Sequence, residues 1–505
     1  MKICTTNLLR RWARLLGVLA TAGCALTAQA AVPGITGTAF NLTASADRIS
    51  QPDGASIYAW GYGCSSGYTP TYAPAAFTTV GMCPLMQMPG PTMIVTEGQT
   101  FTVTLTNKLP ALAGNTSIVF PGLQVTPAGG VPGLMAQEAA NGGTVTYTVT
   151  AAHPGTYAYY SGTQPELQIE MGLYGAVIVL PATAPSGCTR GDFSNSASAY
   201  DIAASCYDRE YLFEFSEMNS RVHDQVEAQV NDPNAKTLNV TIEPFHPNYY
   251  LINGRSMPDD MDTHYSAAYP HQPYNGNPHM HPGERVLMRV IGQGRWQHPF
   301  HFHGNHARVL ARDGNLLVAQ NDPTKLAGPL LFTIPTVSGQ TVDAIFTWTG
   351  QGLNWDAYGS QQPHSCNGVD VVTARTAQLN PSSAASVAVL AQLAGTSGNG
   401  AYPTPFDPTT HEFCPDHGKD IPVTPPDPNI VANGLWYGGT PYLGLQGNNL
   451  TPLPPGQTRL NANAGYAYMW HSHNEREITT NDVFPGGMMM MLIIDPPGST
   501  IDETQ

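Results

Sequence analysis

The sequence predicts an all-β protein that folds into two Greek-key β-sandwich domains, the second of which carries a long irregular insertion. Residues 100–106 alternate between Thr and a bulky apolar or aromatic residue, and residues 144–149 and 237–242 follow the same pattern. Alternation with a period of two is typical of a strand with one buried face. The chain contains 51 Gly and 44 Pro, which interrupt the strands often enough to favour a Greek-key arrangement over an α/β fold. Helical periodicity is scarce, and we expect one short helix within residues 381–394, starting at a Ser cap.

Changes in composition divide the chain into domains. We expect a first domain over residues 32–182, a linker rich in Ala, Ser and Gly over 183–204, and a second domain over 205–500. Within the second domain, residues 352–445 read as an irregular insertion that is rich in Pro. A stretch of this length inside a domain is more often a functional or decorating loop than part of a sandwich.

The first 30 residues have the pattern of a secretory signal peptide. Arg10, Arg11 and Arg14 precede an apolar run over residues 15–28, which ends in an Ala-Gln-Ala motif at 28–30. We therefore expect an exported protein, either periplasmic or extracellular. No later stretch reaches the roughly 20 apolar residues of a membrane-spanning helix, so we expect no transmembrane segment.

The expected export of the protein indicates that its cysteines form disulfides. Two of the eight lie in the predicted signal peptide, and an even number in the remaining chain usually indicates disulfides. Six cysteines allow many pairings in principle, and we expect sequence neighbours to pair: 64 with 83, 188 with 206, and 366 with 414. Full pairing leaves no free thiolate for a metal.

The charge balance excludes one class of partner. Only 11% of the residues are charged, and the formal net charge is −15. A nucleic-acid-binding surface needs a clustered positive field, so nucleic acid is not expected as a partner.

Two pairs of histidines are the strongest candidates for metal ligands in this sequence. His301 and His303 lie in the motif His-Pro-Phe-His-Phe-His-Gly at 298–304, and side chains two apart on a strand share a face. His298, three residues before His301, would face differently. His471 and His473 end a second strand-like stretch and would also share a face. Two such strands could supply four imidazoles to one place, and imidazole suits copper or zinc.

Other polar residues near these motifs have two interpretations. Glu475, Glu477 and Asp482 could add carboxylate ligands, which would also suit Zn or Mn, or they could be solvated loop residues. The histidines of 279–281 lie in a loop rich in Pro, Gly and Asn, where a surface position is favoured. The methionines of 488–491 could suggest Cu(I) ligation, but the apolar residues that follow favour a buried strand.

These motifs resemble those of the multicopper oxidases, a family built from cupredoxin domains. The resemblance is carried by residues 89–99, 155–160 and 172–179 for a first domain. Residues 252–255, 298–304 and 469–475 and the Met-rich strand carry it for later domains. It implies cupredoxin-like sandwiches and copper as the cofactor. Two-domain relatives often assemble as trimers with sites between subunits, so a homo-oligomer is one expectation.

The resemblance also implies a role for each histidine. His298 would be a type 1 copper ligand, His301 would face the type 2 copper, and His303, His471 and His473 would face the type 3 pair. All five are therefore candidate metal ligands.

Departures from the family pattern limit the expected chemistry. Ser472 stands where the family has the type 1 cysteine, and Glu477 and Asp482 stand where it has a further histidine and the axial ligand. In the first domain, residues 117–122 and 159–162 align with the family's paired histidines but contain none. Half the imidazoles of a trinuclear cluster are thus missing, and we do not expect this chain alone to reduce dioxygen to water.

Two functions remain open at this point, and a third interpretation is purely structural. The first is an exported copper oxidoreductase that acts on metal ions or small reductants through a reduced four-His site, which holds one or two copper ions. Its missing ligands would come from another subunit or from His364, His411 and His417 of the insertion. The second is a non-catalytic protein of the same fold that binds a metal or a cell-surface partner. In the third, replacing His301 and His471 would change neither metal content nor activity.

Overall fold

A computed structural model describes residues 32–186, 188, 197–360, 363–398, 400–420, 439–440, 445–446, 451–452, 466–495 and 500–502. The predicted signal peptide lies outside the described residues. Among the helices that are described, none is long and apolar enough to cross a membrane.

Two five-stranded sheets form the first sandwich, a short two-stranded sheet accompanies them, and strands such as Thr100–Asn107 turn alternate apolar side chains inward. Its strands are β1 (Gly34–Thr36), β2 (Ala39–Ser50), β3 (Ser56–Cys64), β4 (Thr71–Ala73), β5 (Met93–Thr96), β6 (Thr100–Asn107), β7 (Gln124–Gly129), β8 (Val131–Pro132), β9 (Gln137–Glu138), β10 (Thr144–Thr150), β11 (Gly155–Tyr160) and β12 (Tyr174–Leu180). One sheet has the order β11-β12-β5-β1-β4 and the other β3-β2-β6-β10-β7. The two alternating stretches predicted as strands are β6 and β10, which pair directly with each other.

A second pair of sheets follows. Its strands are β13 (Arg209–Met218), β14 (Tyr249–Ile252), β15 (His279–Met280), β16 (Arg285–Gly292), β17 (His298–Phe302), β18 (Ala307–Arg312), β19 (Asn315–Leu316), β20 (Val318–Ala319), β21 (Asp322–Leu326), β22 (Leu330–Leu331), β23 (Thr333–Thr336), β24 (Thr341–Thr347), β25 (Ser365–Cys366), β26 (Val369–Asp370), β27 (Gly439–Thr440), β28 (Leu445–Gln446), β29 (Thr451–Pro452), β30 (Tyr466–Ser472) and β31 (Met489–Ile494). The main sheets run β14-β13-β16-β24-β18-β19 and β15-β31-β30-β17-β23. Met489 and Met490 are buried in β31, as the apolar run predicted.

The predicted all-β class with two β-sandwiches is therefore confirmed. Each sandwich has its own apolar core: Phe40 and Phe101 belong to the first, and Phe300 and Trp470 to the second. The exact domain boundaries at 182 and 205 remain a prediction.

Helices are few and short. They are α1 (Pro165–Gln168), α2 (Ser220–Val230), α3 (Val371–Leu379) and α4 (Ala384–Leu393). Single turns of 3₁₀ helix lie at Ala75–Thr78, Ala111–Ala113, Ala203–Ser205, Asp259–Met261, Cys414–Asp416 and Glu475–Ile478. The predicted helix is α4, and Ser383 caps it by accepting a hydrogen bond from the backbone N–H of Ser386 at 3.1 Å. The insertion also contains α3, so its described part is more ordered than the sequence indicated.

The predicted strand over residues 237–242 is wrong, although its alternation is meaningful. This segment pairs with side chains of α2 and not with another strand. The amide of Gln229 exchanges two hydrogen bonds of 2.8 Å with the backbone of Asn239, and Gln225 does the same with Thr241 at 3.0 and 3.1 Å. Four residues of helix rise about 6 Å and two residues of extended chain about 6.6 Å, so the two spacings match. The apolar residues between these contacts pack on the first core.

The predicted disulfide pairing is confirmed in full. Cys64 pairs with Cys83, Cys188 with Cys206, and Cys366 with Cys414. The last pair links two parts of the insertion that lie 48 residues apart in the chain.

Candidate metal centre

Strand register brings two of the predicted histidines face to face. Strands β17 and β30 are antiparallel neighbours, and His301 lies directly opposite His471. On its other side β17 pairs with β23, which sets Thr333 opposite His301. Because side chains alternate along a strand, His303 and His473 continue on the same face.

Four of the five predicted histidines gather at this point. Ligand atoms of His301, His303 and His471 all lie within 4.8 Å of one another. These three side chains are buried, with exposed fractions of 8% or less. The ring of His473 is exposed and lies 4.8 Å from the ring of His301, measured between centroids. We call these four residues the four-His cluster; it has three buried members and one open to solvent.

Hydrogen bonds fix which ring nitrogens point into the cluster. Nδ1–H of His471 donates to the carbonyl oxygen of Ser472 at 2.6 Å, so the lone pair of the neutral ring is on Nε2. That Nε2 lies 3.1 Å from Nε2 of His303, which therefore donates a hydrogen bond to it. Nδ1 of His301 lies 2.8 Å from the hydroxyl of Thr333, which leaves Nε2 as the ring nitrogen for a ligand. Such contacts to the outer nitrogen orient imidazoles in metal sites.

Burial favours the neutral form of two rings of the cluster. Burial, together with the neighbouring imidazoles of His471 and His473, lowers the pKa of His301 to about 4. Burial also lowers the pKa of His471, against a backbone hydrogen bond that raises it. Neutral imidazoles have the lone pair that a metal ligand requires.

His298 is not part of this cluster. Its Nε2 lies 2.9 Å from a carboxylate oxygen of Glu217, and its Nδ1 lies 3.0 Å from one of Glu477. Two carboxylates this close to the ring favour its protonated form, a cation with a proton on each nitrogen. Burial opposes this charge, but the two carboxylates outweigh burial and raise the pKa of His298 to about 9. A doubly protonated imidazole offers no lone pair to a metal.

A carboxylate stands where the resemblance implies a type 1 copper. The hydroxyl of Ser472 donates to the same Glu477 oxygen that contacts His298. Glu477 is held there by the 3₁₀ turn Glu475–Ile478 and by the amide of Asn474, which donates to its other oxygen at 2.8 Å. The residues present do not fit a type 1 copper, because a hard hydroxyl and a cationic ring replace the thiolate and imidazole ligands.

Neither the other acids nor the insertion completes the cluster. Glu475 and Asp482 are exposed, as solvated loop residues would be, and Glu477 serves His298. All three histidines of the insertion are among the described residues, and none of them belongs to the group formed by His301, His303 and His471.

Polar groups occupy the region of the first sandwich where the resemblance implies paired histidines. Val119 and Tyr160 form a bridge there. Beside this bridge the hydroxyl of Ser117 lies 2.9 Å from that of Thr163, which donates to the carboxylate of Glu138 at 2.8 Å. Hydroxyl and carboxylate groups thus satisfy one another at this place.

Two partners of the histidines could not be found in the sequence. Glu217 lies 81 residues before His298, and Thr333 lies 32 residues after His301. Neither stands in a motif. The sequence carried a weak signal for Thr333, because this residue begins a short alternating stretch that could have been predicted as a strand beside β17.

Comparison with known proteins agrees with the resemblance for one part of the chain. Residues 76–184 match the family model described as multicopper oxidase. The laccase abr2 of Aspergillus fumigatus is 40% identical over 98 residues, which are 19% of this chain and 16% of that laccase. The four-His cluster lies outside the segment that matches the family model.

Solved structures with a similar course of the chain include two oxidases. The multicopper oxidase mgLAC is 16% identical, with 92% of this chain and 87% of that one covered and a TM-score of 0.45. The blue copper oxidase of Nitrosomonas europaea is 15% identical, with coverage of 90% and 85% and a TM-score of 0.45.

Proposed function

We propose that this chain is a member of the multicopper oxidase family, whose model matches residues 76–184, and that it is an exported copper protein that oxidises metal ions or small reductants at the four-His cluster. The observation that carries the proposal is the gathering of three buried imidazoles, with ligand atoms within 4.8 Å of one another.

Copper fits this set of donors. His301, His303 and His471 would hold one ion, and the exposed His473 would add a fourth nitrogen or share a second ion. Imidazole is a ligand that copper prefers, and a metal would take the place of the proton shared between His303 and His471. Bound copper would supply a one-electron acceptor for a reductant.

The chain's own residues prepare this site. Thr333 and the Ser472 carbonyl orient two of the rings, so their lone pairs are aimed before the ion arrives. Burial keeps both rings unprotonated at neutral pH. Trp470 donates to the carbonyl of His303 at 3.1 Å and holds the backbone where the strand ends.

One side of the cluster is open to a reductant. His473 is exposed, and the aromatic ring of Phe332, half exposed, lies 5.6 Å from the ring of His301 between centroids. An exposed aromatic ring beside the metal ligands suits a flat phenolic reductant, and an open imidazole suits a metal ion. These are the two substrate classes we propose.

A non-catalytic copper-binding role is the second candidate. It is favoured by the carboxylate that stands in the type 1 position and by the hydroxyl network of the first sandwich. A chain with no electron-accepting type 1 site and with four imidazoles missing would bind copper without turning over dioxygen.

Assembly bears on this choice. A homo-oligomer could bring together ligands that one chain lacks, and light scattering on the copper-loaded protein measures its mass.

Periplasmic or extracellular location is proposed on the basis of the signal-like N-terminus and is consistent with the three disulfides.

The deciding measurement is copper per chain, after loading and desalting, in wild type and in a His301→Ala/His471→Ala double variant. We expect one or two coppers in wild type and none in the double variant. His306→Ala is the matched control, because His306 is exposed on the same segment and lies outside the cluster. Equal copper in all three proteins would refute the site.

Activity then separates the two candidates. Oxidation of phenols, Cu(I) or Mn(II) by the loaded wild type, lost in the double variant, supports the oxidoreductase. Copper binding without dioxygen consumption supports the non-catalytic role.

A further inference from the structure

The insertion contains a second cluster of metal-binding residue types, separate from the four-His cluster. One ligand atom each from Asp356, His364, Glu412 and His417 lies within 4.8 Å of the others. All four side chains are buried, with exposed fractions between 0 and 7%. We call them the insertion cluster.

The spacing of these atoms suits a tetrahedral ion. Asp356 oxygens lie 3.2 Å from Nδ1 of His417 and 3.3 Å from Nε2 of His364. An oxygen of Glu412 lies 3.6 Å and 3.9 Å from the same two nitrogens. Tetrahedral ligands at bond lengths of about 2.1 Å are separated by about 3.4 Å, which lies within this range.

The ring of His417 is oriented as a ligand. Its Nε2–H donates to the carbonyl oxygen of Val369 at 3.0 Å, which leaves Nδ1 as the ring nitrogen that faces the two carboxylates. A positive charge beside Nδ1, either a proton or a metal ion, stabilises these carboxylates. Asp356 is fixed in turn by the backbone N–H groups of Tyr358 and Gly418, at 2.9 and 2.8 Å. Outer contacts of this kind are typical of metal sites.

A buried oxygen gives an independent indication. Within the described part of the chain, Oε2 of Glu412 is buried and makes no hydrogen bond, and the residue is 2% exposed. Burying a carboxylate oxygen without a partner is unfavourable. A cation beside this carboxylate would offset that cost.

We propose that the insertion cluster holds a divalent metal ion of the zinc class, bound by two imidazole nitrogens and two carboxylate oxygens. Four protein ligands in a buried place describe a closed, structural site. The ion would tie residues 356–364 to 412–417, next to the Cys366–Cys414 disulfide that joins the same two stretches. This site is independent of the copper proposed above.

Cobalt(II) is the probe for this site, since tetrahedral Co(II) absorbs visible light strongly. The full chain is stripped with a chelator, loaded with Co(II) and desalted. We expect one Co(II) per chain with a tetrahedral spectrum, displaced by one equivalent of Zn(II), and a higher Tm when either ion is present. Glu412→Gln and His417→Gln should weaken binding at least tenfold.

Controls separate this site from the four-His cluster. The His301→Ala/His471→Ala variant should keep the tetrahedral spectrum, and so should His411→Gln, which alters a neighbouring histidine outside the insertion cluster. If wild type retains neither Co(II) nor Zn(II), the four residues form only a proton-bridged ion-pair network and the proposal is overturned. Retention that Glu412→Gln and His417→Gln leave unchanged would also overturn it.

Discussion

His298 and His301 stand three residues apart on one strand, yet they hold opposite charge states. His298 lies between two carboxylates and is a cation, with its pKa raised to about 9. His301 faces other imidazoles and is neutral, with its pKa lowered to about 4. Both side chains are buried. The difference therefore comes from what each face of the strand meets and not from the depth of burial.

The comparison shows how one strand can present a place filled by carboxylates on one face and the proposed metal site on the other. Glu217 and Glu477 neutralise the charge on His298, and Glu477 also accepts from Ser472, so that place is filled without an ion. On the opposite face no carboxylate joins the three buried imidazoles among the described residues. Their lone pairs stay available to a metal.

The largest expected effect comes from breaking the carboxylate pair around His298. Glu477→Gln leaves a buried cation with one partner instead of two, and removal of one member of a buried ion pair costs about 3–5 kcal/mol. We expect a drop of this size in the free energy of unfolding, measured by urea denaturation. Glu475→Gln, two residues away and exposed, should change it by less than about 0.5 kcal/mol. Similar small changes in both variants would contradict the charged state of His298.

The two histidines should give stability opposite dependences on pH. An unfolded histidine has a pKa of about 6.5, and the stabilisation from His298 is complete below that pH. As the pH rises from there toward 9, about 3 kcal/mol of this stabilisation is lost. His301 has a depressed pKa, so its protonation destabilises the fold as pH falls from about 6.5 toward 4. Unfolding of His298→Gln and His301→Gln between pH 4 and 9 measures each contribution. Loss of the alkaline slope in His301→Gln, rather than in His298→Gln, would reverse the assignment.

A smaller effect on copper affinity should distinguish the two faces of β17, through the hydroxyl groups that hydrogen-bond to His301 on one face and to Glu477 on the other. Thr333→Val removes the hydroxyl that orients His301, and loss of an outer-shell partner lowers metal affinity by roughly 10–100-fold. Ser472→Ala removes a hydroxyl that serves Glu477, so copper affinity should stay the same. Titration against a chelator of known copper affinity measures both. Equal losses in the two variants would mean that the faces are not independent.

Local patterns predicted the features that depend on local geometry. The alternation of residues 100–106 identified β6, the two H-x-H pairs identified the four-His cluster, and the odd spacing of His298 from His301 indicated that it faces elsewhere. Glu217 could not be predicted, because its contact with His298 depends on how distant strands pack. The insertion cluster was missed for the same reason, since Asp356 and His417 meet only after the insertion folds back. The alternation of 237–242 was wrongly read as a strand, because the backbone of this segment bonds the side chains of α2 instead of another strand.

The pairing of α2 with residues 237–242 has a consequence for the order of folding. Gln225 and Gln229 bond residues only 10 to 16 positions away in the chain. The parallel strand pairs β2–β6 and β13–β16, by contrast, join residues 63 and 77 positions apart, and contacts close in sequence form faster than distant ones. We therefore expect this helix and its extended partner to form early, as a local unit that presents its apolar side to the first sandwich before the sheets of the second have closed.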